Sequence, residues 1–263
     1  MTISTVRMMS RALQRPTTYT IIVPEVAQAG PGPYHVLLQL HGYADDHQAW
    51  VLKSNIARYV EKIPLIVVFP DGENGYWLNW ESGRLYEDFL MQDLWAHIAA
   101  TYPVVPRHRW AVGGLSMGGF GAIRLGLKYP DRFASIFGHS SFLPDSADLV
   151  EWMTRRPGWT AEFKAALMAD SNVYAWADRL APAHATSDQP GPPPLPTLGF
   201  DCGTADELLA QNQHFLAYMQ KIGLTCSYAE HPGGHTWTYW DAHIRTALQQ
   251  HCAVFGLPYA ETD

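Results

Sequence analysis

Gly114-Leu115-Ser116-Met117-Gly118 fits the pattern G-x-S-x-G, with an apolar run before it and helical spacing after it. A serine projected from a tight strand-to-helix turn takes an unfavourable backbone conformation. Glycine two residues to either side keeps side chains from colliding across that turn. The same turn sets the hydroxyl and the Met117 backbone N–H at a helix N-terminus, where partial positive charge favours an oxyanion. The competing reading is a glycine-rich packing turn. A serine hydroxyl is a weak nucleophile at neutral pH, so a chemical role demands a histidine base and a carboxylate to orient it, in the chain order Ser, acid, His.

Later segments supply both. "DCGTADELL" follows a strand-like run and presents Asp206 in the loop before a helix, where an orienting carboxylate belongs. Asp201 is the competitor, but it falls within the strand run. "EHPGGHTWTYW" follows the last strand-like run, and its Pro-Gly-Gly loop would raise His235 above the sheet. His231, at the strand end, is the second candidate for the base. A metal site at His231 and His235 is disfavoured, because Pro-Gly-Gly between them rules out a helical ligand pair. An oxyanion hole needs a second donor from the loop after an early strand. In "LLQLHGYADDHQAW" Gly42 lets the backbone turn close to a substrate, and the Tyr43 N–H is the natural partner of the Met117 N–H. An ordinary strand-ending turn is the alternative. Trp77, Trp80 and Trp237 are candidates, with Gly42, for the walls of a substrate pocket; simple packing is equally open to these tryptophans.

The elements that must position these groups can be read from the pattern. "TTYTIIVP", "YHVLLQL", "LIVVFP", "RWAVGGL", "FASIFGHS", "TLGFDCG" and "TCSYAEH" read as strands. "LYEDFLMQDLWAHIAATY", with Leu85, Phe89, Leu94 and Ile98 on one face, reads as an amphipathic helix. "GGFGAIRLGLKY", "ADELLAQNQHFLAYMQKIG" and "WTYWDAHIRTALQQHCAVF" read as helices too. Continuous apolar strands alternating with helices predict an α/β fold: one doubly wound domain over residues 1–263, its sheet mostly parallel and covered on both faces. Residues 142–196 break the rhythm with short helical candidates and then "SDQPGPPPLPT". They read as an insertion before the acid-bearing strand, a possible cap or lid.

Composition narrows the function. Forty-seven per cent of the 263 residues are hydrophobic, enough for a sizeable core. Eighteen basic against 25 acidic residues give a formal charge of -7, with no Lys/Arg block to follow a phosphate backbone, so nucleic acid is a poor partner. The three cysteines, Cys202, Cys226 and Cys252, form neither a disulfide framework nor a zinc pattern and read as buried small hydrophobes. No segment reads as a signal peptide or reaches membrane-spanning length, so the expectation is a cytoplasmic protein with no membrane insertion.

With these residues in place the chain resembles the esterase D group of α/β-hydrolases, which includes tributyrin-type esterases, S-formylglutathione hydrolases, feruloyl esterase domains and antigen 85 mycolyltransferases. "LHGYADDHQAW", "GLSMGGFGA", "CGTADELL" and "PGGHTWTYW" carry the resemblance, which runs over nearly the whole chain. It implies the α/β-hydrolase fold, with Ser116 as nucleophile, His235 as base, Asp206 as orienter, and the Tyr43 and Met117 N–H groups as oxyanion donors. "FGHSSF" departs from the small Ser-Gly-Ala type run of the family, which bears on the nearby pocket wall. Leu115 stands where S-formylglutathione hydrolases usually carry histidine. The expected activity is cofactor-free hydrolysis of small or short-acyl esters through an acyl-enzyme. The alternatives are thioester hydrolysis or acyl transfer by the same residues, and then a non-catalytic ligand-binding protein.

Overall fold

The computed structural model describes residues 1–106, 109–155, 158–181 and 195–259. Eight strands form one sheet: β1 (Thr2–Ser10), β2 (Arg15–Val23), β3 (His35–Leu40), β4 (Leu65–Pro70), β5 (Trp110–Leu115), β6 (Phe133–His139), β7 (Thr197–Gly203) and β8 (Ser227–His231). Their spatial order is β1-β2-β4-β3-β5-β6-β7-β8. From β4 across to β8 every pairing is parallel, whereas β2 runs against both of its neighbours. Every residue of β4, β5 and β6 is buried, as parallel strands covered on both faces require. This is the α/β-hydrolase architecture.

The helices are α1 (Val26–Ala29), α2 (Ala49–Lys53), α3 (Ile56–Val60), α4 (Tyr86–Asp88), α5 (Trp95–Thr101), α6 (Met117–Lys128), α7 (Ser146–Thr154), α8 (Ala161–Asp170), α9 (Val173–Leu180), α10 (Leu209–Lys221) and α11 (Trp237–Phe255). Two apolar cores lie on opposite faces of the sheet. Leu94, Phe120, Ile123 and Phe215 pack into one, and Trp50, Ile56, Ile244 and Leu248 into the other. Burial of one such leucine, isoleucine or phenylalanine side chain is worth about 1.5–3 kcal/mol, so these faces hold the helices in place.

The departures from the sequence reading have physical causes. Strand β1 lies outside the strands that the sequence pattern predicts: at the sheet edge, much of it stays exposed and its sequence is mixed. The helix expected over "LYEDFLMQDLWAHIAATY" is present, but Phe89–Leu94 between α4 and α5 is π-helical. Helix α10 starts at Leu209, three residues after Asp206, because the Asp206 carboxylate accepts the Leu208 N–H at 2.9 Å and closes a turn before the helix. The segment 142–196 holds α7, α8 and α9, while most of the proline cluster lies outside the described residues.

Candidate active site

Strand β5 ends directly beneath Ser116, which is the N-cap of α6 at φ 53° and ψ −116°. A non-glycine residue adopts this conformation only when its surroundings impose it. The Ser116 N–H donates to the His139 carbonyl at 2.9 Å, and the Ser116 carbonyl accepts from Phe120 and Phe142. Both flanking glycines are required by contact: a Cβ at Gly114 would lie 2.5 Å from the Gly118 backbone, and one at Gly118 would lie 2.4 Å from the Leu40 carbonyl oxygen. The elbow is thus wedged between its own first helical turn and the end of β3.

Three side chains form one hydrogen-bonded relay. Ser116 Oγ lies 2.9 Å from His235 Nε2, and His235 Nδ1 lies 3.0 Å from Asp206 Oδ2 and 3.1 Å from Oδ1. With Nδ1–H donated to the carboxylate, Nε2 is left as the acceptor for the serine proton. The Asp206 side chain is fully buried. Burial alone pushes its pKa up, but hydrogen bonds from His235, the Leu208 N–H and the Ser140 hydroxyl outweigh that and hold it below the ordinary carboxylate value. Trp240 stands edge-on to the His235 ring at 4.9 Å, and its Nε1–H donates to Ser140 Oγ at 3.1 Å. Tyr43 and Met117 line the same cavity as Ser116 and His235, which has a volume of about 230 Å³.

The competitors for these roles are occupied elsewhere. Asp201 is fully buried, accepts from His139 Nδ1 at 2.9 Å and takes the Tyr239 hydroxyl at 3.1 Å. His231 stacks on His243 with ring centroids 4.1 Å apart. Among the described residues the side chain of neither hydrogen-bonds to Ser116 or His235. No cluster able to hold a metal ion is present among the described residues.

The tryptophan expectations need correction. Trp77 is fully buried, edge-on to His41 at 5.0 Å and packed so closely on Gly121 that a Cβ there would lie 2.4 Å from its ring, so it faces the core and not the cavity. Trp237 packs edge-on between Trp50 and Trp240 at 5.2 and 5.4 Å, outside the cavity lining. Trp80 lines a neighbouring cavity of about 270 Å³ together with Trp159 and Phe163. The walls above Ser116 come instead from Tyr76, Phe142, Trp152 and Trp240, and Gly42 lines the same cavity. Of these, Trp240 had a usable signal, lying one helical turn beyond the strand-to-helix loop that carries His235.

A strained serine on a β5–α6 elbow, relayed through histidine to a buried aspartate on a parallel sheet, defines a serine hydrolase of the α/β-hydrolase class. Within that class the chain belongs to the Esterase family, whose profile matches residues 10–251, and it is a carboxylic ester hydrolase. An acetyl esterase of Caldicellulosiruptor saccharolyticus is 28% identical over 216 residues, covering 81% of this chain and 81% of that protein. Esterase Rv1288 of Mycobacterium tuberculosis is 26% identical over 243 residues, covering 82% of this chain. The chain spans about half, 51%, of that relative's length. The crystal structure of an S-formylglutathione hydrolase from Staphylococcus aureus shares the fold with a TM-score of 0.78 at 22% identity, covering 94% of this chain and 97% of its own.

Proposed function

We propose that the protein is a serine carboxylesterase for small, short-acyl esters, with Ser116 as nucleophile, His235 as general base and acid, Asp206 as its orienter, and the Tyr43 and Met117 N–H groups as the oxyanion hole. The unbroken relay from Ser116 Oγ through His235 to Asp206, opening on the cavity, carries this reading. His235 Nε2 takes the serine proton as Oγ attacks the ester carbonyl. The two N–H groups hold the tetrahedral oxyanion, and the imidazolium returns the proton to the departing alcohol. Water then repeats the sequence on the acyl-enzyme, and the acid leaves. No cofactor enters any step.

The preference for short acyl groups rests on the size and closure of the cavity. At about 230 Å³ it falls below the roughly 300–1,000 Å³ of ordinary small-molecule sites. Tyr76, Phe142 and Trp152 wall it, and Trp152 belongs to the segment 142–196, whose described helices α7 to α9 we read as a fixed cap within a single domain. A thioester of glutathione fits less well. Among the described residues no lysine or arginine lines the cavity, its carboxylates are Asp45, which pairs with Lys53, and Glu207, and a glutathione leaving group brings two further carboxylates against one ammonium. The relative named acetyl esterase agrees with a small acyl group. The three free cysteines, two of them buried, support a reducing compartment such as the cytoplasm.

The test is kcat/KM on p-nitrophenyl acetate, butyrate and octanoate beside S-formylglutathione. The expected profile is highest at acetate or butyrate and lower by about tenfold or more at octanoate. Trp152 is part-exposed, so Trp152→Ala should fold and raise the octanoate-to-acetate ratio by about tenfold, the worth of one to two methylenes. A dominant thioester rate, or an acyl profile that Trp152→Ala leaves unchanged, would count against this assignment of the pocket.

A further inference from the structure

We infer that His41, which touches neither Ser116 nor His235, is a positioning residue for the oxyanion hole: its Nδ1–H locks and polarises the Gly42–Tyr43 peptide so that the Tyr43 N–H faces the cavity. The inference rests on the acyl-enzyme reading above. His41 is 1% exposed, the last apolar-strand neighbour before the loop that follows β3. A fully buried histidine needs partners for both ring nitrogens, and both partners here are backbone groups.

The Gly72 N–H points at His41 Nε2 at 3.0 Å. A backbone N–H can only donate, so Nε2 is the acceptor and the neutral ring carries its proton on Nδ1. Nδ1 lies 2.8 Å from the Gly42 carbonyl oxygen, which can only accept. The tautomer and the direction of both hydrogen bonds are therefore set by chemistry on either side of the ring. Burial lowers the His41 pKa, against the opposing pull of the Gly42 carbonyl and of Asp71, so the ring is held neutral. Trp77 stands edge-on to the ring at 5.0 Å and packs against it.

The peptide that receives this bond is the one that matters for the reaction. The Gly42 carbonyl and the Tyr43 N–H belong to the same planar trans unit, so fixing one fixes the other, pointing the opposite way. A second donor, the Asp45 N–H at 3.3 Å, holds the same carbonyl, and Asn74 Oδ1 takes the Ala44 N–H at 2.7 Å to pin the loop beyond it. The Tyr43 N–H itself has no acceptor among the described residues. A Cβ at Gly42 would lie 3.6 Å from Ser116 Cβ, which places this peptide against the nucleophile. Hydrogen bonds in series polarise one another, so a donor on the carbonyl strengthens the N–H of the same unit as charge develops on the substrate oxygen. This accounts for the otherwise unused buried histidine and for the correction at Trp77: the tryptophan braces the ring instead of the substrate.

Two variants separate the hydrogen bond from the packing. His41→Asn keeps an N–H near the Nδ1 position, whereas His41→Gln places its amide near the Nε2 position and leaves the Gly42 carbonyl without this donor. Both lose the same ring. Loss of one oxyanion donor outright costs about 10²–10³ in kcat, so weakening one should cost about tenfold to a hundredfold. His41→Gln should show that loss in kcat on p-nitrophenyl acetate with KM little changed, and an equal slowing of Ser116 phosphonylation by a fluorophosphonate. His41→Asn should stay within about threefold of wild type, the remaining loss being that of an imperfect rescue. Equal losses in the two variants, or a loss confined to KM, would overturn the inference. Should either variant fail to fold, the ring ¹⁵N spectrum of histidine-labelled wild-type protein decides. A proton on Nδ1 of His41 supports the inference, and a proton on Nε2 overturns it. Wild-type phosphonylation at Ser116 reports on the nucleophile independently, so failure of the esterase reading is distinguishable from failure at His41.

Discussion

Ser116→Ala should fold like the wild type and hydrolyse p-nitrophenyl acetate about 10⁴- to 10⁶-fold more slowly in kcat, with KM little affected. Folding should survive because the hydroxyl faces a solvent-connected cavity and because the strained turn is imposed by the packing of Gly114, Gly118 and the end of β3, none of which the substitution alters. The loss should be large because the attacking atom is gone: His235 Nε2, 2.9 Å away, then has no oxygen to activate. What remains is the oxyanion hole and binding, which in triad enzymes leave a residual of about 10³–10⁴ over water. A unit of this kind is also strongly non-additive. Adding His235→Ala to Ser116→Ala should therefore cost little more than either change alone, and the double variant is the sharper half of the experiment. A Ser116→Ala protein retaining more than about one per cent of wild-type kcat would remove Ser116 from the mechanism, since a loss below about 3 kcal/mol is too small for a missing nucleophile.

The core of this site is legible in the sequence because local rules dictate it. A β5–Ser116–α6 elbow needs glycines at fixed offsets, and helix α11 carries its apolar spacing along its whole length from Trp237 to Phe255. Placement alone favours Asp206 over Asp201: a residue inside a central strand is buried among neighbours, and Asp201 pairs with His139 and Tyr239. The pocket walls were less legible, since which way an aromatic ring faces is decided by tertiary packing. Tyr76 and Trp77 are consecutive and both have positive φ, 51° and 59°, yet one lines the cavity and the other is sealed beneath it. Nothing in "GYWLNW" distinguishes them. Strand β1 was hidden for a related reason, because an edge strand lacks the continuous apolar run that marked β4 to β6. His41 carries no signal of its own in the sequence, since its significance lies in two backbone partners, one of them 31 residues away.

Arg124→Met should be the most destabilising single change outside the site, about 3–5 kcal/mol, because it leaves a buried carboxylate without its main partner. Arg124 comes from α6, immediately behind the elbow, and is fully buried. Its guanidinium pairs with both Glu87, in α4, and Asp170, at the end of α8, and its Nε–H donates to the Asp170 carbonyl at 2.7 Å. Lys128 adds a contact of 2.8 Å to each carboxylate, and the Tyr129 hydroxyl donates to Glu87. Burial by itself raises the Glu87 pKa, but Arg124, Lys128 and Tyr129 outweigh it and hold the carboxyl below its ordinary value. A depressed folded-state pKa contributes stability that is present above the unfolded value, about 4.3, and lost as the pH falls through the folded one. Without Arg124 that balance reverses, so the variant's deficit should be largest at pH 7–8 and shrink towards pH 5 as Glu87 takes up a proton. Denaturant titrations at the two pH values measure it, and the melting temperature at neutral pH should fall by roughly 6–20 °C. Arg124→Met/Glu87→Gln should recover part of the loss, because the stranded charge is then absent. A deficit below about 1 kcal/mol, or one that grows on acidification, would mean that Glu87 is not held by Arg124. The same network ties α8, and through it the segment carrying Trp152, to the helix whose first turn presents Ser116. A wall fixed to the nucleophile helix by buried charge keeps the acyl pocket at one size, and this is why the variant should also blur the short-chain preference before it lowers the rate on acetate.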